Sequence, residues 1–269
     1  MVISTQRTIH WLSILLDMSI GKIFKILPNT SLNEKFNIDT DIHTPVHTYP
    51  KLNYFSIGVG GEPITDATDT YRFSKHSAMD GSLFNHIPLA LKKLDEDFTV
   101  EVKAGYRFRK IVTVDNIDYA AYYLKVAPTP LLRDFYYEIK TIDGQSTLGV
   151  YNHNTDKILN PIPIEKASRI NTMQNSLYIS KLIKFYFTLT KNEVTELHNV
   201  FTILKLDATH ITEIGICSGV DLTINNETKA IDVQTAYILD TNLFLATDML
   251  ADEKINLWIE VGGSEPMML

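Results

Sequence analysis

The chain lacks most of the features that announce a chemistry. It has one cysteine, Cys217, in 269 residues. An internal disulfide framework is therefore excluded, and a reducing cytoplasm, or an assembly made there, is expected. Positive charge is in deficit: 25 Lys and Arg face 32 Asp and Glu, for a formal net charge of −7. A general nucleic-acid coat carries a basic face, so direct nucleic-acid contact is not expected, although Arg107, Arg109 and Lys110 cluster in sequence. Long apolar runs are missing too. Residues 9–27 are apolar-rich, but Asp17, Lys22 and Lys25 interrupt them, short of the roughly 20 apolar residues of a membrane span. Asp17 also breaks any signal-peptide h-region, and no A-x-A cleavage pattern follows. Neither membrane association nor secretion is expected, and the sequons at Asn29 and Asn226 carry no weight. No internal repeat or low-complexity segment stands out.

What is present favours strands. Hydrophobic residues make up 45% of the chain, enough for a sizeable core in one large domain or two closely packed ones. Thr, Ile, Val, Tyr and Phe are plentiful, as in pleated, half-buried segments. Residues 5–27 place Ile9, Leu12, Leu16, Ile20, Ile23 and Leu27 on one helical face, with Thr5 as cap. Such a helix serves either the core or a neighbouring subunit. Residues 28–50 read as an extended surface segment, stiffened by Pro45 and Pro50. Leu52–Val59 reads as a strand closed by Gly60-Gly61, and residues 64–76 as a polar loop. Residues 77–97 show helical spacing at Leu83, Ile87, Leu91 and Leu94, kinked at Pro88. Two strands, 106–114 and 117–126, flank Asp115-Asn116, and two more, 135–141 and 146–151, flank Asp143-Gly144; both are hairpin signals. Residues 152–175 form a long polar connection with Pro161 and Pro163. Leu177–Leu189 reads as a strand. Thr190 and Glu193 then form a capping box before Val194, Leu197, Phe201 and Leu204 at helical spacing. Ile211–Cys217 reads as a buried strand turned by Ser218-Gly219, with a hairpin tip after Val220. Strands at 230–239 and 255–261 follow.

The expected fold is thus α+β and strand-rich, with antiparallel sheets and hairpins, two or three packed helices and long extended connections. Residues 1–50 form an N-terminal helix and arm, and 51–151 an α+β region with two hairpins. Residues 152–175 connect these to 176–269, a capped helix with strands packed on the same body.

Each candidate site also has a plainer reading. Gly58-Val59-Gly60-Gly61 is followed by Glu62-Pro63, not the Lys-Ser/Thr step of a phosphate loop, and reads as a glycine turn. His43 and His47 have the spacing of a helical metal pair, but Pro45 stands between them. His76, Asp80 and His86 suggest a His/carboxylate triad, yet the last is out of phase. Arg107 and Arg109 share one strand face. They read as solvated groups or cross-strand partners of Asp118, or as a charged patch for a protein. Tyr136, Tyr137 and Tyr151 make the second hairpin aromatic, as a sheet edge or a projecting receptor- or glycan-binding element. Gly215-Ile216-Cys217-Ser218-Gly219 matches the cysteine form of a nucleophile elbow. No helix follows, His198 and His210 are unremarkable as bases, and Glu213 and Asp221 offer no electropositive setting. A small buried cysteine is the plainer reading. No catalytic, cofactor-binding or metal-binding residue is assigned, and no cofactor is expected.

Several strings carry a resemblance. They are Tyr54–Gly58 with Gly60-Gly61; Ala78-Met79-Asp80 with Leu83–Pro88; Tyr106–Arg109 with Ala121-Tyr122-Tyr123; Glu213–Asp221; and Gly262–Pro266. In this order, over about residues 50–266, the chain resembles virion structural proteins of large tailed bacteriophages. The Glu213-Ile214-Gly215-Ile216 segment after a helix also resembles a piece of baseplate and tail-fibre-attachment proteins. The resemblance implies a non-enzymatic virion subunit assembled in the host cytoplasm. It would be multi-copy or homo-oligomeric around the tail axis, with other virion proteins as partners. Baseplate or tail comes first, neck or collar next. It transfers no functional residue.

Overall fold

The computed structural model describes residues 4–7, 36, 50–60, 63–65, 71–73, 76–128, 131–140, 146–150, 178–206, 210–224, 227–246, 248–250 and 252–266. The chain divides into two compact units, Met1–Pro128 with Phe187–Asn256, and Thr129–Tyr186 with Leu257–Leu269. The described structure is strand-rich and antiparallel. Its α-helices are α1 (Val100–Lys103) and α2 (Lys191–Ile203).

The first unit is built on a six-stranded sheet in the order β1-β14-β13-β2-β5, with β9 also paired to β2. These strands are β1 (Ser4–Arg7), β2 (Lys51–Gly58), β5 (His86–Ile87), β9 (Lys125–Val126), β13 (His210–Ile224) and β14 (Glu227–Phe244). Residues 211–220 of β13 are all buried, so this central strand is covered on both faces and shows no in–out alternation. Beside this sheet, β6 (Ala90–Lys93), β8 (Ile117–Tyr122) and β7 (Arg109–Val114) form a three-stranded sheet in that order. The β7–β8 turn puts Asp115 at φ 50° and Asn116 at φ 63°. That left-handed pair is the tight-hairpin geometry which, after glycine, Asx residues tolerate best. The short pair β3 (Pro63–Thr65) and β4 (Tyr71–Phe73) replaces the polar loop expected there.

Helix α2 begins as the capping box predicts. Thr190 Oγ1 accepts from Glu193 N at 3.4 Å, and Glu193 Oε2 accepts from Thr190 N at 2.9 Å. Val194, Leu197, Val200 and Phe201 are its buried stripe. Two ion pairs fix its outer side, Lys92–Glu196 at 2.5 Å and Lys125–Glu193 at 2.6 Å. The core near it gathers Tyr54, Leu91, Tyr123, Leu124, Val200, Cys217 and Val233.

The second unit holds a four-stranded sheet in the order β11-β10-β12-β15. Its strands are β10 (Leu131–Lys140), β11 (Ser146–Val150), and parts of β12 (Tyr178–Thr190) and β15 (Lys254–Pro266). The hairpin around Asp143-Gly144 is present as β10 and β11, with Lys140 opposite Ser146. Its β11 is an edge of this sheet.

Several expectations fail. Residues 77–97 are not a helix: they hold β5, β6 and a 3-10 turn at Leu94–Glu96. Pro88 bars the helix, and Leu83, Ile87 and Leu91 are buried all the same, so apolar spacing was satisfied by an irregular path. Ser4–Arg7 is a strand paired to Tyr237–Asp240, where a helix capped by Thr5 was expected; the rest of that helix lies outside the described residues. Ser218-Gly219 does not turn the chain. β13 runs on to Ile224 past register shifts at Ile216/Cys217 and Ser218/Val220, so a bulge absorbs the glycine. Within the supposed surface arm, Phe36 is buried, stacked on Phe108 at 5.1 Å and edge-on to Tyr123 at 4.3 Å. The 152–175 connection lies outside the described residues.

Replacing Thr190 with Ala removes the acceptor of the box. Urea denaturation is expected to show a loss of about 1 kcal/mol, with the slope of the transition unchanged.

Candidate functional site

A buried cluster of charge sits inside the first unit. In the antiparallel register, Glu213 of β13 lies directly opposite Asp240 of β14. Like charges so placed repel. His76 resolves this by entering between them. Its Nδ1 lies 2.5 Å from Asp240 Oδ1, and its Nε2 lies 3.1 Å from Glu213 Oε2. The imidazole side chain is 1% exposed and the Glu213 side chain 2%.

The carboxylates are satisfied further by backbone. Asp240 Oδ2 accepts from His76 N at 3.2 Å. Glu213 Oε2 accepts from Phe84 N at 2.6 Å and Oε1 from Asn85 N at 3.4 Å. Asn85 O in turn accepts from Val59 N at 3.0 Å. The Phe84 ring covers the imidazole at 4.2 Å between centroids. Segment 76–85 is thus clamped over the sheet by one imidazolium and two amides. This explains the glycines better than a turn does. A Cβ on Gly58 would sit 2.8 Å from Asn85 O, and one on Gly60 would sit 2.6 Å from Glu213 Oε1 and collide with Phe84 Cβ. Glycine is needed there because another backbone passes close.

Burial works against the charged form of His76, but the hydrogen bond to Asp240 and then the close Glu213 carboxylate outweigh it and raise its pKa to about 9. An imidazolium already protonated and enclosed cannot serve as a general base near neutral pH. The arrangement does structural electrostatics: a buried cation neutralises two carboxylates and fixes a chain segment.

The other sequence candidates are not brought together with it. Asp80 Oδ2 accepts from Ser77 N at 2.7 Å in a local turn. His86 Nε2 faces Ser82 Oγ at 2.7 Å. Among the described residues no group of three or more His, Cys, Asp or Glu is set to hold a metal ion. His43 and His47 lie outside the described residues. The Cys217 thiol is fully buried within β13 and meets two hydroxyls, Ser56 Oγ at 3.5 Å and Thr235 Oγ1 at 3.7 Å. Burial pushes its pKa up. His198 lies on α2, and His210 packs on Phe244 at 5.2 Å. The elbow reading fails because the chain neither turns nor enters a helix after Cys217.

Arg107 and Arg109 pair elsewhere than expected. Arg107 Nε donates to Asp221 and Arg109 Nη2 to Asp97, at 2.8 and 2.9 Å. Asp118 instead accepts from Thr113 Oγ1 at 2.6 Å. Asp97 also takes Lys103 Nζ at 2.8 Å, Tyr122 OH at 2.5 Å and Phe98 N at 2.8 Å. Burial opposes its ionisation, but these donors hold its pKa at about 2. Asp97 and Glu213, the two carboxylate hubs, were missed in sequence. Nothing local distinguishes them from surface acids.

A family match spans residues 2–269. The chain belongs to DUF7208, a family of unknown function. No curated protein and no solved structure matches it. Among the described residues no helix is long and apolar enough to cross a membrane.

The imidazolium sets a pH signature. Because His76 has a raised folded-state pKa, its contribution is complete below the unfolded value near 6.5 and is lost as pH rises through about 9. That amounts to about 3 kcal/mol, measurable by urea denaturation between pH 6 and 10. His76→Gln is expected to cost about 3–5 kcal/mol at pH 6 by stranding buried carboxylates and to flatten that pH dependence. A wild-type curve already flat across this range would exclude a charged His76. Cys217 is expected to resist a thiol reagent in the native protein and to react after unfolding; rapid native labelling would contradict its enclosure.

Proposed function

We propose that the chain is a non-enzymatic structural subunit of a tailed-phage virion, present in several copies and joined to other virion proteins through its interfaces. Baseplate or tail is the first placement. A neck, collar or fibre-attachment adaptor is the alternative. The observation that carries the reading is where the reactive groups go. The cysteine and the most strongly held imidazole are both sealed in the first unit as packing and clamping elements, and among the described residues neither lines the clefts at Arg107 or at Glu193.

The surface supports an interface role. Val100, Ile111, Phe244, Leu250 and Trp258 each remain more than half exposed. Large apolar groups left in water are available for a partner to cover. In the second unit, Lys184 Nζ lies over the Trp258 ring at 3.3 Å and 3.9 Å from Glu260 Oε1. This presents a rigid aromatic with charged neighbours, the composition of an interface anchor. Of the strings that carry the resemblance, Tyr54–Gly58 with Gly60, Leu83–Pro88 and Glu213–Asp221 each contribute residues to the clamp, whereas Tyr106–Arg109 with Ala121-Tyr122-Tyr123 and Gly262–Pro266 do not.

Mass spectrometry of purified virions is expected to find the chain at multiple copies per particle, and limited proteolysis to find it better protected there than free in solution. Its absence from purified particles would overturn the proposal. Binding of the free protein to cells or glycans, with particles still assembling in its absence, would instead favour a receptor-binding module.

A further inference from the structure

One cleft in the first unit runs against the charge of the chain. It encloses about 400 Å³ and opens between α1, the start of β7 and the start of β14. Lys103, Arg107, Arg109 and Lys229 line it, and Glu227 is the one acid among its lining residues. The acids that hold the cations stand outside the lining. Asp97 takes Lys103 and Arg109, and Asp221 takes Arg107. Lys229 is only loosely paired, 3.7 Å from Glu227 and largely exposed.

Arg107 is the best-fixed of the four. Its amide donates to Leu124 O at 2.9 Å, and its carbonyl accepts from Ala230 N at 3.4 Å. Its Nη1 donates to the carbonyls of Ala104 and Tyr106 at 2.6 and 3.1 Å. Nε is held by Asp221, which leaves Nη2 without a partner among the described residues. Arg109 is anchored through Nη2 on a carboxylate that stays ionised to about pH 2. Two guanidinium groups are therefore positioned before any ligand arrives, so little side-chain entropy remains to be lost. Buried Tyr106 and Tyr122 form an aromatic part of the wall.

We propose that this cleft binds a small organic polyanion carrying phosphate groups. Arg107 Nη2, and the N–H groups of the planar Arg109 fork that Asp97 does not engage, are left to donate to phosphate oxygens. The volume falls in the range of small-molecule sites and exceeds the needs of a lone phosphate ion. The aromatic wall accommodates the organic part. A net charge of −7 otherwise repels anions, so the local reversal of sign at the cleft selects where one docks. The site is separate from the clamp and does not depend on the virion reading.

Isothermal titration of the full chain at low salt, with metal-free ATP, inorganic pyrophosphate and citrate as probes, tests this. ATP and pyrophosphate are expected to bind saturably at one site, citrate more weakly. Lys229→Glu reverses an exposed charge. Arg109→Lys keeps the cation for Asp97 but removes the fork. Each is expected to weaken pyrophosphate binding about tenfold with an unchanged melting temperature. Lys254→Glu, outside the lining, is expected to leave binding intact. No saturable phosphate binding by the folded wild type would overturn the proposal. So would equal weakening by Lys254→Glu, which marks diffuse attraction, or citrate binding as tight as pyrophosphate.

Discussion

Two carboxylates face each other across β13 and β14, and the fold depends on how their repulsion is relieved. Glu213 and Asp240 occupy opposed register positions in a sheet whose central strand is buried on both faces. Left alone they would not both stay charged in a water-poor interior. The cation that relieves them comes from the 76–85 segment, which belongs to neither strand. Charge neutralisation therefore does a topological job. It draws an irregular segment across the sheet and leaves Phe84 and Asn85 amides aimed at Glu213. Asn85 O then caps Val59 N beside the end of β2, and His86 and Ile87 pair on β2 as β5.

Packing and electrostatics are not separable here. The clamp closes only because Gly58 and Gly60 leave room beneath it, and the room is filled by Leu83, 1% exposed, and by the Glu213 carboxylate. A buried ion pair of this kind often adds little net stability compared with an apolar replacement of the same shape. Its value lies in specificity: only one register of β13 against β14 brings both acids to a single imidazole. A slip by one residue would turn Glu213 to the other face and leave it unpaired.

Local chemistry was legible in sequence wherever a short-range interaction decided the outcome. Asp115-Asn116 names its own turn, Thr190 and Glu193 name a helix start, and the antiparallel, strand-rich character follows from composition and alternation. Long-range pairing was not legible. The apolar spacing of Leu83, Ile87 and Leu91 fits a helix, yet these side chains reach the core from a loop and two short strands, because the Phe84 and Asn85 amides go to Glu213, Asn85 O goes to Val59 N, Ile87 pairs on β2 and Leu91 pairs on β8. Ser4–Arg7 is a strand because β14 offers an edge, which no local propensity reveals. Ser218-Gly219 looks like a turn and is a bulge, since strand pairing on both sides outweighs the glycine's freedom. Of the candidate site, His76 was visible as an ionisable residue, but as a metal ligand. Its true partners lie on distant strands, and a lone Glu in a strand gives no sign that it will be buried.

The two carboxylate hubs show how one chemical device yields opposite consequences. Glu213 gathers an imidazolium and two amides, and the fold closes over all of them. Asp97 gathers Lys103, Arg109, the Tyr122 hydroxyl and an amide, yet its cations extend from it towards an open cleft. In the first hub the positive charge is consumed. In the second, one carboxylate is shared by two cations, so the sum at the cleft wall stays positive in spite of the pairing. Solvent access separates them: a sealed cluster can only hold the chain together, whereas an open cluster with surplus cation can still exchange its water for an anion. That asymmetry makes the cleft at Arg107 and Arg109 suit the proposed anion better than the more perturbed His76 does.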